Sequence, residues 1–335
     1  MNRKIMVATG ILLAAAAALS LSEKVFKKED ERLGKPILNL SAVIGLDAIK
    51  FGKGDKSLLV ITDKDSVWRL GSESGFPADA SKISRLVDDL TRTDVQVLAS
   101  SAKEPAKEFG VQDAVEVSLK KGGADILSIR LAGHRDGGGQ FIAFGNDPRV
   151  YLISQNLDGA ADESAWELKR LLNIAANQVK KVEFKPSRGM GKKPVTLVRE
   201  KAEDGIKVDK LTGGSKESSS IRSHEGILSG LDFVTRGLAD ASDAKKALEN
   251  PATTKVTLFD GRVFEVKSGF VGDQSRKYFI SIRAQKGDTT GENDLKEIDW
   301  INSVMTRHTF EVSPMVASRF EKGLEDMLEK KGSKS

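Results

Sequence analysis

Cysteine is absent from the 335 residues of the chain. Its absence excludes disulfide bonds, thiolate metal sites, cysteine nucleophiles and the lipid-modified cysteine of bacterial lipoproteins. Histidine is scarce, and its three copies are His134, His224 and His308. None lies four residues from another or within a Glu-x-x-His pattern, so the spacing of a zinc site is also absent.

An excess of one charge sign is lacking too. Lysine and arginine number 53 and aspartate and glutamate 48, and the two signs are interspersed along the chain. This is the mixed surface of a globular protein rather than a nucleic-acid-binding face. The hydrophobic content of 39% is typical of a water-soluble body.

The usual catalytic motifs are missing as well. No Gly-x-Ser-x-Gly sequence occurs, and the glycine-rich run 133–139 lacks the Gly-Lys-Ser/Thr ending of a phosphate-binding loop. That run lies between two predicted strands, where glycines serve a turn. The sequence predicts no catalytic residue, no cofactor and no metal site, and therefore a protein that is not an enzyme. A hydrolase with a non-standard site is the minor alternative.

The N-terminus carries the clearest targeting signal. Basic residues within 1–4 precede an uncharged run from Ile5 to Ser22. A helix of about 18 apolar residues can just span a bilayer. The basic start favours a cytoplasmic N-terminus and a body outside the cytoplasm. We expect a single-pass anchor in a bacterial inner membrane with the body in the periplasm. A cleaved signal peptide is the alternative.

The chain contains an internal repeat. Residues 37–42 (ILNLSA) return as 171–176 (LLNIAA), and Ile49-Lys50-Phe51 returns as Val182-Glu183-Phe184. Repeats of this kind indicate the architecture directly. We predict an α+β fold of two tandem homologous repeats with mainly antiparallel strands, after the N-terminal membrane helix. The predicted segments are an anchor (1–22), a linker (23–36), two repeats (37–165 and 166–330) and a tail (331–335).

Hydrophobic periodicity predicts the elements of each repeat. In residues 48–51, apolar and polar side chains alternate, which is typical of a strand. Residues 58–62 and 66–70 are predicted to form a hairpin. Ile83, Leu86, Val87 and Leu90 give the stripe of a helix that Asp79 or Ser81 caps. A further helix is predicted over 163–172.

The second repeat follows the same order. His224, Ile227, Leu228 and Leu231 occupy the positions of the helix stripe in the first repeat, which predicts a helix with His224 as a buried structural residue. The other helix predicted there covers 315–328. An insertion from Lys286 to about Met305 has no counterpart in the first repeat.

The three tryptophans are expected to differ in role. Trp68 lies in an alternating strand and Trp166 in a predicted helix, so both are expected in the core. Trp300 lies in the insertion. We predict it as a partner contact, because aromatic anchors dominate the energetics of protein interfaces.

Several short motifs, in order, resemble one bacterial family, domain of unknown function 4340. The resemblance covers roughly residues 37–330. It rests on Trp68-Arg69-Leu70, Pro77-Ala78-Asp79, Glu108 to Val111, Gln140 to Pro148, Val150 to Ile153 and Trp166 to Leu172.

The resemblance implies an envelope protein with a single anchor, encoded beside components of Gld-type (gliding-associated) ABC transporters. It supplies no catalytic residues. The chain departs from the family around Trp300, where Ile301-Asn302-Ser303 replaces an aromatic-rich ending.

These observations predict a function in binding. We expect a membrane-anchored periplasmic accessory or scaffold protein of an ABC-type transport or envelope-assembly system, with a permease or another envelope protein as its partner. The alternative is a periplasmic glycan- or lipid-binding module that uses a cleft between the repeats. The sequence does not identify the partner, the ligand or the oligomeric state.

Overall fold

The computed structural model describes residues 30–64, 66–71, 75–102, 107–135, 138–211, 214–287 and 290–329. Residues 1–22, the predicted anchor, lie outside these ranges. No helix among the described residues is long and apolar enough to cross a membrane.

The chain forms two compact units. Of the described residues, those from 30 to 71 and from Ala78 to Trp166 belong to the first unit, and 75–77 with those from Glu167 to 329 belong to the second. Each unit is built on one eight-stranded sheet whose paired strands run antiparallel. The predicted α+β class with mainly antiparallel strands is confirmed.

The sheet of the first unit has the strand order β3-β2-β1-β5-β6-β7-β8-β4. Its strands are β1 (Ala48–Lys53), β2 (Lys56–Thr62), β3 (Trp68–Leu70), β4 (Val95–Ser100), β5 (Val115–Lys121), β6 (Ala124–His134), β7 (Gln140–Phe144) and β8 (Val150–Ile153). Its helices are α1 (Leu40–Val43), α2 (Ala80–Arg92), α3 (Glu163–Trp166) and the 3₁₀ turn Lys107–Phe109.

Helix α2 forms where the periodicity predicts it. The Asp79 carboxylate caps it by accepting from the backbone N–H of Ser81 at 3.0 Å. Such a bond satisfies one of the unpaired donors at a helix start. Ile83, Leu86 and Leu90 are buried beneath it. One amphipathic helix therefore covers part of this unit.

Residues 30–38, which include the described end of the predicted linker (23–36), are fixed to the first unit. The backbone N–H of Gly34 donates to the carbonyl of Val95, and the N–H of Val95 donates to the carbonyl of Lys35. The N–H of Ile37 donates to the carbonyl of Thr93. The segment thus adds backbone pairing beside the edge strand β4.

The sheet of the second unit has the order β12-β11-β10-β15-β16-β17-β18-β14, which is the strand order of the first sheet. Its strands are β10 (Val179–Lys185), β11 (Val195–Val198), β12 (Lys207–Val208), β14 (Thr235–Leu238), β15 (Ala252–Leu258), β16 (Val263–Val271), β17 (Lys277–Gln285) and β18 (His308–Val312). A separate pair consists of β9 (Arg170–Leu172) and β13 (Leu231–Asp232).

The helices of this unit are short, apart from one. They are α4 (Ser242–Ala247), α5 (Glu292–Met305), α6 (Pro314–Ala317) and the 3₁₀ turns Ala176–Gln178, Arg188–Met190, Ser219–His224 and Leu324–Asp326.

Three helix predictions are wrong in whole or in part. The helix predicted over 163–172 ends at Trp166, because the chain continues into strand β9. The helix predicted through His224 and Leu231 is a 3₁₀ turn followed by turns and β13. The helix predicted over 315–328 is one turn of α-helix, then irregular chain and a 3₁₀ turn.

The predicted insertion folds as a packed helix. In α5, Ile298, Ile301 and Val304 are buried. The Asn302 amide group accepts from the backbone N–H of Ala284 at 2.9 Å and donates to its carbonyl at 2.8 Å. These bonds fix α5 to strand β17.

An aromatic cluster forms part of the core of the second unit. Phe76, which is 1% exposed, packs its ring 5.8 Å from Phe233 and 6.2 Å from Phe310. The guanidinium of Arg236 lies over the Phe76 ring at 4.6 Å. Phe76 therefore completes this core although it precedes α2 in the chain.

Candidate functional site

A large cavity lies within the second unit. Its volume is about 1110 Å³, and its walls come from residues 218–229 and from residues 315–329. Six serines line it: Ser218, Ser219, Ser220, Ser223, Ser229 and Ser318. We call it the serine cavity.

Local sequence explains why the serine cavity is open. Ser218 caps a short 3₁₀ helix of six residues, Ser219–His224, instead of a full α-helix. Gly230 then adopts φ +55°, a left-handed conformation that glycine tolerates best. Serine also hydrogen-bonds to its own backbone and favours caps and turns over helix interiors. The wall is thus built of short turns.

His224 forms the buried part of the wall. It is 8% exposed, and its ring meets the edge of Phe184 at 5.5 Å and 74°. Within the described part of the chain, neither ring nitrogen has a hydrogen-bond partner. Burial, and then the positive charge of Lys322, lower the pKa of His224 below its usual 6.5. The ring is therefore a neutral imidazole at physiological pH.

The charged residues of the serine cavity are partly committed to structural bonds. Arg319 Nη1 donates to the carbonyl of Ser229 at 2.8 Å. Asp326 pairs with Lys192 Nζ at 2.9 Å, and Glu325 accepts from the backbone N–H of Lys193 at 3.1 Å. With Lys322 and Glu329, the lining holds two cations and three carboxylates.

The first unit has a smaller cavity between the corresponding segments. Its volume is about 300 Å³, between α2 and the chain that follows β8. Trp166 lines it and stacks on Phe51, with ring centroids 4.4 Å apart. The indole N–H donates to the carbonyl of Ala160 at 2.9 Å. A full helix and a buried indole thus occupy the space that is open in the second unit.

A network of charged side chains fixes the N-terminal segment of the first unit. Arg32 Nη1 donates to Asp147 at 2.6 Å and to the Tyr151 hydroxyl at 3.1 Å. The Tyr151 hydroxyl donates to Asp30 at 2.7 Å, and Arg149 pairs with both aspartates. Hydrogen bonds from Arg149 are the main reason why the pKa of Asp147 lies far below its usual range.

A second charged network lies in the second unit. Arg236 Nε donates to Glu167 at 2.8 Å, and Arg236 Nη1 lies 2.8 Å from His308 Nε2. His308 Nδ1 lies 2.8 Å from the carbonyl of Val304. A neutral His308 that donates from Nδ1 and accepts at Nε2 satisfies both contacts. Every partner is structural, so we assign this network to folding.

The predicted partner residue, Trp300, lies on α5 and is half-buried. Its role as a partner contact stays a prediction. Trp166 is in the core, as predicted, and Trp68 is half-buried. His224 is buried, as predicted, although the helix that was to carry it is absent.

Sequence reasoning missed the serine cavity. The only indication in the sequence was the cluster of serines around Ser218 to Ser220, and such a cluster is equally typical of a surface loop. In the described ranges, no group of three or more His, Cys, Asp or Glu side chains is placed to hold a metal ion. The prediction that the chain is not an enzyme stays a prediction, as does the ligand site between the repeats.

Comparison with known proteins gives one match. The family model for a domain of unknown function, DUF4340, matches residues 68–260, which is more than half of the chain. The chain belongs to the DUF4340 family. The DUF4340 match begins at β3 and ends just after β15, so it includes strands from both sheets. No curated protein and no solved structure matches the chain.

Proposed function

We propose that this DUF4340 protein is a single-pass protein of the bacterial inner membrane whose body lies in the periplasm. There it acts by protein binding, as an accessory or scaffold of an ABC-type transport or envelope-assembly system. The apolar run from Ile5 to Ser22 supplies the anchor in this proposal.

The observation that carries the proposal is how closely the body follows the apolar run. Asp30 is already fixed to the first unit by Tyr151 and Arg149. From Ser22 to Asp30, even a fully extended chain reaches at most about 29 Å. An anchored chain would therefore hold the first unit next to the bilayer, within reach of a membrane-embedded partner.

The charged network holds the start of the body, Asp30 and Arg32, on the first unit. Arg32 and Arg149 share Asp147, and Arg32 also lies over the Phe144 ring at 4.5 Å. Charge-assisted hydrogen bonds of this kind are stronger than neutral ones. A body that is fixed from Asp30 onward suits a scaffold, because only a short length of chain separates it from the apolar run.

We further propose that the two units are tandem homologous repeats. The strand order shared by the two sheets supports this, together with the residues that recur along the chain, such as Phe51 and Phe184. Duplication leaves one copy free to change. The insertion that forms α5 and carries Trp300 occurs in the second copy only.

Recovery of partners from membranes tests the proposal. We expect full-length protein, tagged at its C-terminus and purified from cells in mild detergent, to retain a transporter permease or ATPase component. Replacing Trp300 with alanine should reduce the recovery. Glu292→Gln, at an exposed position of α5 two turns away from Trp300, is the matched control and should leave recovery unchanged.

Two outcomes would count against the proposal. Recovery of no transporter or envelope-assembly component, with or without chemical crosslinking, would remove the scaffold function. Finding the full-length protein only in the soluble fraction after cell lysis would remove the anchor.

A further inference from the structure

We propose that the serine cavity of the second unit binds a neutral, hydroxyl-rich ligand of the saccharide class. This goes beyond the scaffold function, because it concerns a small-molecule site within one unit. It can fail while the scaffold proposal holds, and the reverse is also true.

The buried His224 is the first argument. A neutral imidazole offers one N–H donor and one acceptor, and within the described part of the chain neither nitrogen of the His224 ring is bonded to the protein. The ring is 8% exposed and lines the cavity. A hydroxyl can accept from one ring nitrogen or donate to the other, so a polyol satisfies either tautomer.

The serines supply further groups of the same kind. Ser223 donates to the carbonyl of Ser220 at 2.7 Å, and Ser318 donates to the carbonyl of Met315 at 2.9 Å. These bonds use their protons and leave oxygen lone pairs as acceptors. Ligand hydroxyls can donate to such acceptors and can in turn accept from other donors.

The charge of the lining argues against a phosphate or another anion. Lys322 and Arg319 lie among Glu325, Asp326 and Glu329, and Lys192 already pairs with Asp326. The lining therefore offers a multiply charged anion no excess of positive charge. For a neutral polyol, both signs are useful, because carboxylates accept from hydroxyls and cations donate to them.

Size and shape fit the same class. The volume of about 1110 Å³ is slightly above the roughly 300–1,000 Å³ usual for ligand cavities. Met315 and Leu328 add apolar surface among the polar groups. Sugar rings present both hydroxyl groups and C–H faces, and the space accommodates an oligosaccharide of a few rings.

Histidine NMR on the full-length protein in detergent provides the test. The chain has only three histidines, so the ring signals of His224 can be assigned by comparison with His224→Phe. We expect maltotriose or chitotriose to shift the His224 signals and to leave those of His308 in place. Inorganic tripolyphosphate should shift neither.

Variants then localise the effect. His224→Phe keeps an aromatic ring against Phe184 and removes both nitrogens, and it should weaken saccharide binding about tenfold in calorimetry. Lys322→Gln should weaken it less. Lys296→Gln, which removes an exposed lysine from α5, should have no effect.

Several results would overturn the proposal. One is the absence of any His224 shift with millimolar saccharides in the wild-type protein, a result that does not depend on how well the variants fold. Another is a shift with tripolyphosphate alone, which would make this an anion site. A third is saccharide binding that His224→Phe leaves unchanged.

Discussion

The two units differ in how the space beside one phenylalanine of the sheet is filled. In the first, Phe51 of the central strand β1 stacks on Trp166, and the remaining cavity measures about 300 Å³. In the second, Phe184 of β10 meets the smaller ring of His224, and the cavity measures about 1110 Å³. Two sheets of equal strand order thus support one closed and one open site.

The difference lies in the segments outside the sheets. The strands fix where the phenylalanine lies, and the segments that follow the third and the last strand of each sheet decide whether the space beside it is filled. Helix α2 presents a continuous apolar stripe, whereas residues 218–229 form turns with exposed serines. The size of the cavity beside the sheet can therefore differ although the strand order of the sheet is the same.

The largest effect should come from emptying the filled site. Trp166→Ala removes a side chain that is 3% exposed and should lower the free energy of unfolding by about 3–5 kcal/mol. His224→Ala at the open site should cost only about 1 kcal/mol. Urea unfolding followed by circular dichroism compares them. Equal losses would contradict the division into a closed and an open site.

The next largest effect should come from acid, which should loosen the segment 30–38 of the first unit but not the segment around Phe76 of the second unit. The first unit uses charge, through Arg32 and Asp147, whereas the second uses the apolar ring of Phe76. The folded-state pKa of Asp147 lies below its ordinary value of 3.8, chiefly through hydrogen bonds from Arg149. Its stabilising contribution is therefore present above that value and is lost as the pH falls through the folded-state pKa.

Asp147→Asn should accordingly cost about 1.5 kcal/mol at neutral pH, at the lower end for charged hydrogen bonds because Arg149 is partly exposed. The deficit should vanish at low pH. Chemical denaturation at a series of pH values measures it. Asp88→Asn, at an exposed pair with Arg92, is the control and should change little. A deficit independent of pH would exclude the charge-based explanation.

A smaller effect concerns the caps of the two corresponding segments. Asp79→Ala removes the cap of a full helix and should cost about 1 kcal/mol. Ser218→Ala removes the cap of a six-residue 3₁₀ helix and should cost less, because fewer peptide dipoles are aligned there than in α2. Thermal unfolding of the two variants decides the order. A larger loss for Ser218→Ala would mean that the turn is a principal support of the second unit.

The smallest expected effect is a lowered pKa of one side chain, His224. His224 should titrate below 6.5 by NMR, because burial and then the nearby charge of Lys322 disfavour its protonated form. The unfolded chain therefore takes up this proton more readily, and stability falls as the pH drops below 6.5. Lys322→Gln should raise the pKa, and Lys296→Gln should leave it unchanged. A midpoint above 6.5 would show that the ring is not desolvated.

The strands of both units are predictable from sequence, and the helices only partly. The stripe His224, Ile227, Leu228 and Leu231 has helical spacing, and all four residues are buried. Glycines interrupt that segment at 226 and 230, and each lowers helix stability by about 1 kcal/mol relative to alanine. Periodicity therefore identified burial correctly and the secondary structure incorrectly.

The predicted C-terminal helix failed for a related reason. Gly323 lies so close to a neighbouring segment that a Cβ there would approach the carbonyl oxygen of Lys193 to 2.8 Å. That contact joins residues far apart in sequence. Local patterns cannot reveal it, and they extend the helix past a position where tertiary packing requires an irregular chain.

The candidate site was hidden for the same physical reason. The serine cavity exists only because residues 218–229 and 315–329 come together around His224. The network of Asp30 likewise joins residues that are 119 positions apart. The sequence alone shows a cluster of serines and predicts a buried histidine. Neither indicates a cavity unless it is also known that residues 315–329 lie opposite them.

Residues 33–37 cover the backbone of residues 93–95, where the edge strand β4 begins. An uncovered edge strand is a template for pairing with another chain. A chain shortened to begin at the repeat boundary, near Ile37, would uncover the Val95 backbone and so extend the open edge that already includes Val97, which is 51% exposed. Soluble forms for expression should therefore begin at or before Asp30.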